Sequence, residues 1–243
     1  MALENREGKQ IPKVDFKVQK DGAWATITTD ELFKGKTVVV FSLPGAFTPT
    51  CSSTHLPRYN ELAPLFKKEG VDAIICISVN DTFVMNEWLE SQEAENIKVI
   101  PDGNGEFSEG MGLLVDKSAI GFGKRSWRYS MLVKDGVIEK MFIEPEKDGD
   151  PFEVSDADTM LKYINKDVKL PSFATIFSKK GCPHCTRAKK VLSDKGIIYE
   201  EIELTNKLTR RSMLNVTGGN TTPQIYLDGK YIGTADDLEA FLA

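Results

Sequence analysis

Phe173-Ala174-Thr175-Ile176-Phe177-Ser178-Lys179-Lys180-Gly181-Cys182-Pro183-His184-Cys185 reads as a short apolar strand, a basic loop and a helix that opens on two cysteines. Each part has a physical reason. The first turn of a helix leaves backbone N–H groups without partners and carries partial positive charge. A thiolate at Cys182 is stabilised there, and Lys179 and Lys180 add positive charge beside it. Pro183 fits a first turn, where its missing N–H costs nothing. Cys185, three residues on, is near enough to close a small disulfide ring. Half of a zinc site is the other reading of such a pair. Zinc needs two more ligands, and Cys51, Cys76, His55 and His184 contain no second spaced pair, so no metal is expected. His184 has two readings: an imidazole that favours the thiolate, or a tolerated exposed residue.

Downstream, the pattern continues as a strand over 197–202, a helix over 207–214, a strand over 224–227, a turn at Asp228-Gly229, a strand over 230–232 and a helix over 236–242. The order βαβαββα, with a thiol pair opening its first helix, specifies a thioredoxin-like α/β domain. Upstream, residues 165–172 are polar, contain a proline and break the periodicity, which places a linker there. The chain is therefore expected to hold two domains, residues 1–167 and 171–243. In the first, Thr37 to Leu43 and Ala73 to Val79 read as buried β-branched strands. A helix is expected from about Thr50, with Leu56, Tyr59, Leu62, Leu65 and Phe66 at helical spacing, broken or kinked by Pro57 and Pro64. Asp81 caps a helix that buries Val84, Trp88 and Leu89. Asp135-Gly136 turns a hairpin between 127–133 and 137–143. Ser155 is the expected cap of a helix running to about Asn165.

The 243 residues are 41% hydrophobic and 28% charged, with a formal net charge of −5. Such a chain can bury a full core without disulfide staples, and it gives no reason to expect nucleic acid as a partner. No apolar run reaches membrane-spanning length, and residues 1–15 lack the apolar stretch of a signal peptide. A cytoplasmic protein is expected, in which cysteines are catalytic rather than structural.

Cys51 ends the stretch Pro44-Gly45-Ala46-Phe47-Thr48-Pro49-Thr50-Cys51. Two prolines and a glycine shape this loop, and Thr48 lies where its hydroxyl can reach an oxygen species bound at the sulfur. Cys76 lies inside Ala73-Ile74-Ile75-Cys76-Ile77-Ser78-Val79, where a thiol is desolvated and inert. There is no cysteine between Cys76 and Cys182. An oxidised Cys51 must therefore be reduced from outside its own domain.

These residues also carry family resemblances. Ser178 to Cys185, the Thr222-Pro223 step and Gly233-Thr234-Ala235-Asp236-Asp237-Leu238 together resemble a glutaredoxin, from about Pro171 to Ala243. The resemblance implies glutathione as reducing co-substrate, with no bound cofactor. Cys182 would attack and Cys185 could resolve. Lys179 would meet a glutathione carboxylate, Thr222 before a cis Pro223 would pair with the peptide backbone, and Ala235 and Asp236 would hold the γ-glutamyl end. His184 stands where that family usually has an aromatic, and Thr234 where it has a second glycine. Pro44 to Ser52 with His55-Leu56-Pro57, and later Arg128-Tyr129-Ser130-Met131, resemble peroxiredoxins of the peroxiredoxin-5 type, from about Ile11 to Asn165. That likeness implies that Cys51, as an accessible thiolate, attacks a peroxide and becomes a sulfenic acid, with Thr48 and Arg128 holding the peroxide oxygens. The whole chain resembles bacterial peroxiredoxin–glutaredoxin fusions: two thioredoxin-like domains, a larger peroxiredoxin domain and a small glutaredoxin domain. A glutathione-dependent peroxidase acting on hydrogen peroxide and organic hydroperoxides, assembled as a homo-oligomer, is the expectation. A general thiol–disulfide oxidant and a redox-sensing interaction protein are the other readings of the same residues.

Overall fold

The computed structural model describes residues 3–20, 22–147 and 149–243. The chain divides into two compact units, Met1–Val168 and Lys169–Ala243. The first unit runs β1 (Asp15–Lys20), β2 (Ala23–Thr28), α1 (Thr29–Phe33), β3 (Thr37–Ser42), a π turn (Cys51–His55), α2 (Leu56–Lys68), β4 (Ala73–Ser78), α3 (Thr82–Ser91), β5 (Ile97–Pro101), α4 (Glu106–Gly110), β6 (Leu114–Asp116), β7 (Lys124–Ser126), β8 (Tyr129–Lys134), β9 (Val137–Ile143) and α5 (Ala157–Ile164). The second runs β10 (Phe173–Ser178), α6 (Pro183–Asp194), β11 (Ile198–Glu203), α7 (Arg210–Thr217), β12 (Gln224–Leu227), β13 (Lys230–Gly233) and α8 (Ala235–Leu242).

Both units use one sheet plan. The larger sheet has the order β5-β4-β3-β8-β9 and the smaller β11-β10-β12-β13. In each, a parallel pair (β3 with β4, β10 with β11) is joined by an antiparallel strand on the other side of its central member. This is the thioredoxin-like arrangement, and it places each thiol segment directly after a central strand. Val38, Val40, Ile75, Ile77, Tyr129 and Met131 belong to one apolar core with Phe107 and Trp127. Phe41 stacks on Tyr59 of α2 with ring centroids 4.4 Å apart. Asp135 and Gly136 both have positive φ, 46° and 76°, as a tight hairpin between β8 and β9 requires.

Several boundaries differ from the sequence expectation for identifiable reasons. The helix after Cys51 begins at Pro49 and passes through a π turn, in which Leu56 N–H bonds to Cys51 C=O five residues back. Pro57, with no N–H to give, follows this wider turn instead of breaking the helix, and exposed Pro64 lies within continuous α2. In α3 the buried face is Thr82, Met85 and Trp88, not Val84 and Leu89, which are half-buried. Ser155 does not cap α5. Its hydroxyl is given to Glu144, and Asp156 caps the helix by accepting from Thr159 N–H at 2.9 Å. β8 starts two residues later than expected, because Trp127 gives its backbone N–H to Leu113 C=O at 2.7 Å, outside the β8 ladder. α7 is shifted by three residues because the Thr205 hydroxyl accepts from Lys207 and Leu208 N–H and holds that stretch as a turn.

Candidate active site

The loop after β3 delivers Cys51 to the first turns of the following helix. Its sulfur sits 2.8 Å from Thr48 Oγ1 and 3.4 Å from Arg128 Nη2. The structure thus brings Cys51 and Thr48 of one loop together with Arg128, 77 residues further along the chain. Thr48 Oγ1 is also 2.9 Å from Gly45 C=O. A hydroxyl has one proton, so it donates to only one of these at a time. With a neutral thiol, S–H donates to Oγ1 and the hydroxyl donates to Gly45. With a thiolate, the hydroxyl turns to the sulfur. Thr48 is therefore a one-proton switch that follows the charge on Cys51.

The accessibility expected of Cys51 is corrected: its side chain is 0% exposed in this structure. The π turn carries the sulfur inward beneath the loop, whose Ala46 N–H is pinned to Asn80 Oδ1 at 3.1 Å. Half-buried Thr48 is its nearest hydrogen-bonding partner. Cys76, the register partner of Phe41 between β4 and β3, is also fully buried, and burial together with the neighbouring Cys51 pushes its thiol well above the ordinary value.

Arg128 is 1% exposed and would be costly to bury without partners. Besides the sulfur it has two, which take three hydrogen bonds. Nε donates to Asp150 Oδ1 at 3.2 Å, Nη2 to Asp150 Oδ2 at 2.5 Å, and Nη1 to His55 Nδ1 at 2.9 Å. His55 Nε2 lies 3.3 Å from Ser155 C=O, which can only accept. Nε2 therefore carries the ring proton, and Nδ1 is the lone pair that meets Arg128. Burial, and secondly the Arg128 charge, push the His55 pKa well below 6.5, so the ring is neutral.

That shift has a sign. Below about 6.5 the unfolded chain binds a proton on His55 that the folded chain refuses. The resulting penalty is absent above that pH and grows as pH falls toward the depressed folded value, at up to about 1.4 kcal/mol per pH unit. Urea unfolding between pH 7 and pH 5 is expected to show a slope smaller by about one proton in His55→Asn than in the parent chain. Equal slopes would contradict a neutral, buried imidazole.

Glu144 organises the loop that carries these partners. Its carboxylate is 1% exposed and accepts from the N–H groups of Glu153, Val154 and Ser155 and from the Ser155 hydroxyl, at 2.7–2.9 Å. This fixes Ser155 C=O, which also accepts from Tyr59 OH at 3.0 Å, and it anchors the stretch containing Asp150 and Phe152. Phe152 lies against His55 at 4.8 Å and faces the Arg128 guanidinium at 5.5 Å. Sequence reasoning gave no site role to Asp150 or Glu144 and considered His55 only as a metal ligand and as part of a motif.

In the second unit Cys182 and Cys185 form a disulfide with Cα atoms 5.3 Å apart. Cys182 is half-buried and caps α6, its sulfur accepting from Cys185 N–H at 3.2 Å, while Cys185 is 2% exposed. Cys182 is thus the sulfur that an incoming thiol can meet. The Thr222–Pro223 bond is cis, with Thr222 C=O and Oγ1 each 3.6 Å from Cys182 Sγ. Lys179 and Thr222 line a groove of about 500 Å³ with Thr205, Arg210 and Asn220. Ala235 and Asp236 lie outside that lining, on the first turn of α8; Ala235 is buried, and Asp236 is exposed and paired with Arg187. Thr234 caps α8: Asp237 reaches back to its N–H and hydroxyl, both at 2.7 Å. His184 is exposed, and its ring has no hydrogen bond among the described residues.

The Redoxin family model matches residues 6–161 and the Glutaredoxin model residues 174–232. Hybrid peroxiredoxin hyPrx5 of Haemophilus influenzae is 60% identical over 99% of this chain and 100% of its own length. The chain belongs to the hybrid peroxiredoxins. Peroxiredoxin sll1621 of Synechocystis is 57% identical to this peroxiredoxin, over 64% of it and 89% of the relative. Among solved structures, reduced Prx3 of Vibrio vulnificus in complex with hydrogen peroxide superimposes with a TM-score of 0.62. That match is 41% identical and covers 66% of this peroxiredoxin and 99% of that chain. The protein is therefore a thiol peroxidase with a fused glutaredoxin domain. No helix among the described residues is long and apolar enough to cross a membrane.

Proposed function

We propose that this peroxiredoxin is a glutathione-dependent peroxidase that reduces hydrogen peroxide and organic hydroperoxides at Cys51. The observation that carries the reading is a sulfur held between Thr48 and Arg128, with buried Cys76 as the other free thiol and the Cys182–Cys185 pair in a unit of its own. The Cys51 thiolate attacks one peroxide oxygen, the O–O bond breaks, and the other oxygen leaves as water or an alcohol while Cys51 becomes a sulfenic acid. Thr48 and Arg128 hold the peroxide and receive charge on the leaving oxygen. The Vibrio relative bound to hydrogen peroxide supports that substrate.

Glutathione then condenses with the sulfenic acid, giving a mixed disulfide and water. Because Cys51 is fully buried, this step requires the Cys51–His55 turn to open. Cys182 takes the glutathionyl group by thiol–disulfide exchange, returning the Cys51 thiolate, and a second glutathione restores Cys182 as glutathione disulfide leaves. Lys179 and Thr222 bind glutathione in the groove, next to Pro223, and Ala235 and Asp236 bind its γ-glutamyl end. The Cys182–Cys185 disulfide of the structure is opened first by two glutathione molecules, one attacking Cys182 and the second releasing glutathione disulfide, which leaves the Cys182 thiolate that enters the cycle. Cys185 can resolve a glutathionylated Cys182 back to that disulfide. No bound cofactor is needed. The reading includes a cytoplasmic location, where such thiols stay reduced. It also includes a homo-oligomer covering the exposed Trp24, Phe47 and Phe83, of which Trp24 and Phe83 meet edge to face at 5.9 Å.

Cys182→Ser tests the glutathione step. Steady-state peroxide consumption with glutathione is expected to fall about 100-fold or more, while a single stoichiometric oxidation of Cys51 keeps the parent rate. Undiminished glutathione-coupled turnover in this variant would remove the glutaredoxin unit from the cycle.

A further inference from the structure

Arg128 has five N–H donors, and the structure assigns four of them. Nε and one Nη2 proton go to Asp150, the other Nη2 proton goes to Cys51, and one Nη1 proton goes to His55. One Nη1 proton has no acceptor among the described residues. We propose that His55 and Asp150 are positioning residues that clamp Arg128 from two sides, leaving this single N–H for the peroxide, and that Asp150 also withholds part of the guanidinium charge from Cys51. The proposal rests on the reading of Cys51 as the sulfur that peroxide oxidises.

The two partners hold different parts of the guanidinium. Asp150 meets Nε and Nη2 together, the paired geometry that fixes the plane of a guanidinium. His55 fixes rotation within that plane, and it can do so only as an acceptor. Its tautomer is set by Ser155 C=O, so His55 cannot turn its N–H toward Arg128 without losing that bond. The ring is further held by Phe41 and Phe152, each 4.8 Å away.

Asp150 is 37% exposed on its side chain, unlike the guanidinium it binds. It shares Nη2 with the Cys51 sulfur, so carboxylate and sulfur lie within about 6 Å of each other. Two anions at that distance compete for one cation. The titratable groups facing the guanidinium are Cys51 and His55 from the π turn and Asp150 from the loop; Glu144 is occupied by backbone N–H groups and Ser155. A purely structural carboxylate and a counter-charge make opposite predictions. Losing a structural anchor loosens Arg128 and disfavours the Cys51 thiolate. Losing a counter-charge favours it.

The test reads thiolate absorbance near 240 nm in the full chain with Cys182 and Cys185 kept as the disulfide and with Cys76→Ala in every variant, so that Cys51 is the one free thiol. In Asp150→Asn the amide oxygen can still accept from Arg128, but the charge is gone. The ratio of Cys51 thiolate to thiol at a fixed acid pH is expected to rise about threefold or more, the value that screening by bulk water alone leaves. An unchanged or lower ratio overturns the counter-charge. For the clamp, His55→Phe keeps the ring but loses the acceptor, and single-turnover oxidation by hydrogen peroxide is expected to slow about tenfold or more. His55→Asn, which restores an oxygen acceptor near the Nδ1 position, is expected within about threefold of the parent. A parent rate in His55→Phe, or equal losses in both variants, overturns the clamp. The absorbance arm uses no peroxide. Failure of Cys51 to be oxidised in the parent chain would therefore count against the peroxidatic reading and leave the charge competition separately decided.

Discussion

Cys51→Ser is expected to lower peroxide consumption by about three orders of magnitude or more, with thiol exchange at the Cys182–Cys185 site unchanged. A thiol of ordinary pKa, ~8.5, is already about 3% ionised at pH 7, whereas a serine hydroxyl is not measurably ionised there. Complete ionisation of such a thiol gains only about 30-fold, or roughly 2 kcal/mol. The remainder of the rate depends on a polarisable sulfur aligned with the O–O bond between Thr48 and Arg128. Cys76 cannot take over, because it lies inside β4 with its thiol pushed well above the ordinary value by burial. The check is stopped-flow peroxide consumption together with mass spectrometry of the oxidised chain. Full activity in the variant, or an added oxygen on Cys76 in the parent, would sink the assignment of Cys51.

Much of this architecture is legible in the sequence because it depends on local signals. The smaller unit could be read almost element by element: a strand ending at a basic loop, a cysteine at a helix cap, a proline before the next central strand. Each of these is a short-range rule with a physical cause. The errors arose where a side chain chose a distant partner over a local one. Ser155 looks like a helix cap, yet Glu144, eleven residues earlier, takes its hydroxyl and leaves the cap to Asp156. Thr205 looks like ordinary loop, yet its hydroxyl delays α7 by three residues.

The active site divides in the same way. Cys51 and Thr48 are three residues apart and could be read from the loop, and Arg128 from a motif. Asp150 and Glu144 lie in a polar stretch where nothing distinguishes a carboxylate that binds a buried guanidinium from one that faces water. Only tertiary structure shows that one stretch, residues 144–155, supplies partners to both His55 and Arg128. Burial of Cys51 was equally hidden, because the π turn that carries the sulfur inward is set by a hydrogen bond from Leu56 back to Cys51 and has no sequence periodicity of its own.

Arg128→Met is expected to slow single-turnover oxidation of Cys51 by about 10²–10⁴-fold, the second of the two large effects. The variant removes the cation beside the sulfur and the N–H aimed at the substrate, while methionine fills much of the buried volume. Arg128→Lys separates charge from geometry. An ammonium keeps the charge but has three donors and no planar fork, so it cannot meet Asp150 on two atoms and His55 and Cys51 at once. If orientation matters as much as charge, the lysine variant falls closer to methionine than to the parent, with a loss of about 100-fold or more. Two effects oppose each other in stability. The methionine variant relieves the desolvation of a guanidinium that is 1% exposed, and Asp150, with a side chain 37% exposed, can turn to water, but the buried His55 Nδ1 loses its donor. Its urea midpoint should therefore lie near or modestly below that of the parent. A methionine variant that oxidises within tenfold of the parent would show that Arg128 is a structural cation and that the loop with Thr48 suffices; a rate that collapses together with stability would show that the guanidinium mainly holds the fold.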